Sequence, residues 1–327
     1  MLSTLLASVA FAEPLPSRIV LGGKAVVLAA DAVYLFPEAR RHIVAVAKAD
    51  QGLGAFLAAL DPAFGAKAQI DRAAGAEAYA ALGSDLVIMK SSNRKSVGPG
   101  LDAIGIPQLY LDLETPEDYF RELGLLGKVF GDEARAIELI TYYRESYERV
   151  LSAVETLPTA ERPKVLVLQA QSAAGGSFEV PPASWMQTLM VERAGGIAVW
   201  KDANPGSGWA KVGPEQIAAW NPDIILVISY NEKASAVAAS LRSDPRFSGL
   251  FAAKSARIFG FPQDFYSWDQ PDVRWILGFQ WAAARIHPAR FAGLDMRKEA
   301  QRFYAFCYGL DAAAFSTLVA PRFSGDF

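Results

Sequence analysis

The chain has 327 residues, 52% of them hydrophobic and 20% charged, with a formal net charge of -3. That length suits two domains of ordinary size, each able to bury a sizeable core. No basic block or polybasic tail appears, which argues against nucleic acid or an anionic membrane as a partner, and the single Cys307 excludes an internal disulfide framework and a Cys-rich metal site.

The chain opens on MLSTLLASVAFA, an apolar stretch ending in Ala10-Phe11-Ala12. That small-x-small ending has the pattern of a secretory cleavage site, so residues 1–12 are expected to be the remnant of a signal peptide. Arg18 to Leu21 reads as a buried strand, followed by Gly22-Gly23-Lys24 and a helix from Ala25 to Phe36. His42 to Val46, Asp85 to Met89 and Pro107 to Leu111 read as further strands, the last after a helix near Val97 to Ile104. Strands alternating with helices imply parallel βαβ units.

Thr115 to Leu157 is rich in helix formers. Gly131-Asp132 breaks the run, with Asp132 capping the second segment. From there Ala136, Ile140, Tyr143, Tyr147, Val150 and Val154 recur at three- and four-residue spacing. Roughly 25 helical residues at about 1.5 Å each make a rod of about 37 Å, longer than one small domain needs. The second half repeats the strand–helix grammar. Strands are predicted at Lys164 to Leu168, Asp223 to Ile228 and Arg257 to Gly260. Helices are predicted at Trp185 to Ala194, Pro214 to Trp220 and Pro271 to Ile286. The expected fold is therefore α/β: two Rossmann-like lobes with mostly parallel sheets, joined by a single long α-helix. The lobes span 13–114 and 161–327, with the spine at 115–160.

Ligands of parallel sheets bind beyond the carboxyl ends of the strands. In the first half that rule selects Lys24, Asp50, Gln51, Ser92, Asn93, Arg94 and Lys95. In the second it selects Ser172, Phe178, Tyr230, Tyr266 and Trp268. One side is polar and the other aromatic, a mixture suited to a bulky or anionic ligand held in a cleft. Each residue also has a plainer reading: Arg94 and Lys95 as solvated loop charges, Tyr266 and Trp268 as packing for their own loop, Trp185 as core. Signals for catalysis are weak. His42 and His287 are the only histidines, and neither metal-ligand spacing nor a nucleophile elbow accompanies them. No catalytic residue, metal site or cofactor is assigned.

Several segments in a fixed order resemble the substrate-binding proteins of ABC importers that carry iron-siderophores, haem, cobalamin or, in some members, molybdate or tungstate. They are the opening at Arg18, EAYAALGSDLV at 77–87, LDAIGIP at 101–107, the run from Thr115, VGPEQIAAWNPDIILV at 212–227, and WILGFQWAAARIHPARF at 275–291. The resemblance covers nearly the whole chain after the leader. It implies a periplasmic, monomeric receptor that binds a metal complex, ferric siderophore or cobalamin-like, between its lobes and delivers it to an ABC permease. A molybdate or tungstate oxyanion is the alternative ligand. In this family one glutamate per lobe docks into permease arginines, and by motif position these fall on Glu77 and Glu215. Glu77 fits less closely, because Ala78 stands where the family has a larger apolar residue. The rival from another class is a chelatase-like or cofactor-assembly enzyme on a similar frame.

Overall fold

The computed structural model describes residues 15–49, 56–172 and 177–327. The expected leader, Asp50 and Gln51 lie outside the described residues. The first half builds one sheet from β1 (Ile19–Leu21), β2 (Ile43–Ala47), β3 (Ala68–Ile70), β4 (Leu86–Lys90) and β5 (Gln108–Leu111). Their order is β3-β2-β1-β4-β5, and every pairing is parallel. β1 and β4 are buried at every position. A strand covered on both faces reads as a continuous apolar run, as IVL and LVIM do. The chain winds outward from β1 on one side and from β4 on the other, so the order reverses between them. The loops after β1 and β4 flank that switch point.

The second half builds β6 (Lys164–Ala170), β7 (Phe178–Val180), β8 (Ile197–Ala198), β9 (Ala210–Val212), β10 (Ile224–Ile228) and β11 (Ile258–Gly260). Their order is β11-β10-β6-β7-β9, with β8 beside β6. The β11-β10-β6 core is parallel, while β7 and β9 extend it antiparallel. The fold class is thus α/β with two sheets.

Two helices, rather than one, connect the lobes. Pro116–Val129 is capped by the Thr115 hydroxyl, which accepts from the Asp118 N–H at 3.0 Å, and Glu133–Val154 by Asp132, which accepts from the Arg135 N–H at 3.1 Å. They lie side by side, closely enough that a Cβ on Gly127 would come within 2.5 Å of the Ala136 Cβ. The second has 22 residues, about 33 Å at about 1.5 Å per residue. It grips both halves. Arg135 Nε donates to the Leu35 carbonyl at 3.2 Å, and Nη2 to those of Phe306 and Cys307 at 2.8 and 3.1 Å. The Tyr143 hydroxyl donates to the Val273 carbonyl at 2.6 Å. Cys307 is buried, and burial pushes its thiol up, away from reactivity. The helix expected from Pro271 starts at Trp275; the four residues before it enter a seam between the lobes.

Candidate functional site

On the first lobe, Asn93 fastens the two loops at the switch point. Its Oδ1 accepts from the Lys24 N–H at 2.9 Å, and its Nδ2 donates to the carbonyls of Lys24 and Lys90, both at 3.1 Å. Gly23 makes this possible: its φ is +76°, and a Cβ there would stand 2.5 Å from the Asn93 side chain. Asn93 is buried with its amide spent on the backbone, which corrects its expected role as a ligand contact. Arg94 is also engaged, its guanidinium lying 3.9 Å from the Tyr110 ring centroid. Lys24, Ser92 and Lys95 are exposed along this edge.

Sequence reading missed Lys90, which ends β4 almost fully buried. Its ammonium donates to Glu114 at 2.8 Å and to the Asp112 carbonyl. Nearby, Asp112, Asp118 and Glu122 bring carboxylate oxygens within 4.8 Å of one another. Arg121 Nη2 already occupies their centre, at 3.8, 2.7 and 2.8 Å respectively. Burial raises the Glu122 carboxyl, against the pull of the Asp112 and Leu113 N–H groups it accepts from.

On the second lobe, the Ser172 hydroxyl donates to Glu232 at 2.8 Å, linking the loops after β6 and β10. Tyr230 follows β10. Its hydroxyl donates to Asp269 Oδ2 at 2.7 Å, and Gln187 Nε2 donates to the same oxygen at 2.9 Å. Asp269 is wholly buried, and burial raises its carboxyl against the hydrogen bonds it accepts. The Tyr230 ring stands 6.3 Å from Trp209, which stands 5.6 Å from Trp185, both near perpendicular. All three are only half-buried. Trp185 was expected in the core, and Trp209 carried no signal in the sequence. Phe178, expected beside the ligand, is buried edge-on against Phe247 at 5.3 Å within its own lobe.

Tyr266 and Trp268, also expected at the ligand, are corrected by their burial within the loop 261–274. Trp268 is 0% exposed; its indole N–H donates to Asp264 at 2.9 Å and its ring meets Phe323 and Phe327. Tyr266 lies under Arg274 at 5.1 Å. Arg274, itself 0% exposed, pairs with Asp264 and Asp272 at 2.8 Å. It also pairs at 2.6 Å with Asp31 of the first-lobe helix Val26–Val33. Tyr304 accepts from Arg274 Nε at 2.8 Å and donates to Asp264 at 2.6 Å. From the first lobe Phe56 adds its ring against Phe265, Tyr304 and Tyr308. Burial, then the Asp272 carboxylate, push the Asp31 carboxyl well above the usual range despite Arg274. The aromatic loop is therefore an inter-lobe seam.

Glu77 and Glu215 are exposed, one on each lobe. Each sits in the first turn of a short helix, Ala76–Ala81 or Pro214–Trp220, two residues after a glycine N-cap. Each helix leads into a parallel strand, β4 or β10, so each begins at the carboxyl edge. The first turn also suits a carboxylate electrostatically.

A sequence profile for the family described as periplasmic binding protein matches residues 65–265. The molybdate-binding protein MolA of Haemophilus influenzae is 30% identical over 131 residues, 38% of this chain and 36% of MolA. The sequence match thus spans about a third of that relative's length. Among solved structures, MolA bound to molybdate superposes with a TM-score of 0.71 at 19% identity, covering 91% of this chain and 95% of MolA. FepB of Veillonella parvula, described as a TroA-like periplasmic binding protein, gives 0.71 at 18% identity over 90% and 92% of the two chains. CeuE of Helicobacter pylori with bound nickel(II) gives 0.70 at 17% identity over 94% and 95%.

Proposed function

Because the chain belongs to the periplasmic binding protein family, we propose that it captures an organic metal complex, of the ferric-siderophore or cobalamin kind, between its lobes. It then hands that complex to an ABC permease. The observation that carries this reading is the half-buried trio Trp185, Trp209 and Tyr230 at the carboxyl edge of the second lobe. Three rings with incomplete packing offer flat apolar area, which suits a chelator's organic surface. Lys24, Ser92 and Lys95 on the other lobe supply positive charge and a donor for an anionic complex.

The test is a titration of intrinsic tryptophan fluorescence with ferric tris-catecholate, ferric tris-hydroxamate, cobalamin, haem and molybdate. Saturable quenching by a metal complex, lost in Trp209→Ala, is the expected result. Silence from every complex would sink the reading.

A molybdate or tungstate ligand is the second reading, favoured by the identity to MolA. The exposed Ser92 hydroxyl, with backbone N–H groups, would bind the oxyanion. A melting temperature raised by molybdate alone, through binding to the folded state, would select it.

Glu77 and Glu215 serve as the docking carboxylates in this proposal. Glu77→Arg with Glu215→Arg should abolish uptake and leave ligand affinity unchanged; normal uptake would remove the assignment. A monomeric protein working in the periplasm fits the family. Among the described residues no helix is long and apolar enough to cross a membrane.

A further inference from the structure

Tyr230 is the one phenol of the aromatic trio, and its hydroxyl is turned toward a buried partner. Its hydroxyl is spent on Asp269 Oδ2 at 2.7 Å, and Asp269 is 0% exposed. The same oxygen is braced by Gln187 Nε2 at 2.9 Å, itself on a buried side chain. Two donors on one fixed oxygen set the direction of the phenol O–H bond. The ring is then the part of Tyr230 left at the surface, turned toward Trp209. Burial, then the Asp269 carboxylate, push the phenol well above its ordinary value, so it stays a donor.

We infer that Asp269 is a positioning residue, which turns the Tyr230 hydroxyl inward and so presents a ring face, rather than a metal-ligating oxygen, to the ligand. This rests on the reading of the aromatic trio as the ligand wall. It narrows the ligand class. A phenol held as a donor to a buried carboxylate gives no oxygen to a metal ion. Tyr230 therefore favours a metal that arrives with its coordination shell already closed by its own chelator. Complexes with open positions, which need a protein donor, gain nothing from Tyr230.

The experiment uses the whole protein labelled with 3-fluorotyrosine and read by fluorine NMR. The Tyr230 signal is identified as the one missing from Tyr230→Phe. In Asp269→Leu, which keeps the bulk and removes the acceptor, that signal should shift or split while the other tyrosine signals stay. Asp269→Asn, whose amide oxygen still accepts, should restore it. A Tyr230 signal unmoved in Asp269→Leu overturns the positioning role, whatever the ligand is. Should Asp269→Leu fail to fold, Gln187→Leu removes the brace and must move the same signal, or the proposal falls.

The ligand arm compares a hexadentate ferric tris-hydroxamate with a tetradentate ferric bis-hydroxamate. The native protein should prefer the closed complex by about tenfold or more, a gap of about 1.4 kcal/mol. The preference should shrink in Asp269→Leu and return in Asp269→Asn. Equal affinity for both overturns the narrowed ligand class. If the fluorine signal responds and the native protein binds neither complex, the ligand-wall reading fails and the orientation of Tyr230 stands.

Discussion

The second lobe has two aromatic regions of similar composition and opposite fate. In the seam at 261–274 every residue but Pro271 is buried. At the carboxyl edge Trp185, Trp209 and Tyr230 keep part of their surface open. Polar partners account for the difference. The seam's loop carries Asp264, Asp272 and Arg274, and the opposite lobe supplies Asp31, so its charged groups meet ionic and hydroxyl partners, although Asp31 Oδ1, Asp272 Oδ2 and Arg274 Nη2 are buried without one. Its rings can then pack from both lobes. The edge trio has an inward anchor, the Tyr230 hydroxyl on Asp269, and its three rings stay partly exposed.

The sharpest way to break this contrast is Arg274→Leu. It leaves Asp31, Asp264 and Asp272 buried around a lost cation. Removing one partner of a buried ion cluster costs several kcal/mol, and about 5 kcal/mol is expected here. Denaturant unfolding should show it as a lower midpoint. A loss under about 1 kcal/mol would mean that ring packing alone holds the seam.

That cluster also marks where the sequence stops being legible. QDFYSWDQP can be read as ligand wall or as loop packing, because the choice depends on Asp31, more than two hundred residues away. The buried strands are legible, since IVL, LVIM and IILVI are continuous apolar runs. β3, β7 and β9 are not: each has three residues, too few to show a period. Asn93, read as a ligand contact, ties two loops together instead, because spacing cannot say whether an amide faces a ligand or its own backbone. Trp209 lies in a segment with no periodicity, so nothing local announces it.

A pair of tryptophan variants sharpens the contrast. Trp268→Ala removes a fully buried ring and its bond to Asp264, and should cost about 4 kcal/mol. Trp209→Ala, at a half-buried site, should cost about 1 kcal/mol or less while weakening ligand binding. Thermal melts and titrations of both proteins decide it. If Trp268→Ala is the milder change, the seam is not the tightly packed region.

The smallest expected effect separates two buried carboxyls, Asp31, which pairs with Arg274, and Asp269, which anchors Tyr230. Both are raised above the ordinary 3.8 by burial. Between that value and the folded one, the unfolded chain has lost its proton while the folded chain keeps it. Each group's contribution therefore falls as pH rises through that window, by at most about 1.4 kcal/mol per pH unit, and levels off above it. Asparagine carries no titrating proton, so Asp31→Asn and Asp269→Asn should each flatten the decline expected in melts as pH rises above the ordinary carboxyl value of 3.8. Asp31 has the Asp272 carboxylate adding to its shift, whereas Asp269 has mainly donors opposing its own. Asp31→Asn should thus flatten the profile more. The reverse order would mean that the Arg274 cation compensates the seam more fully than its three surrounding carboxylates suggest.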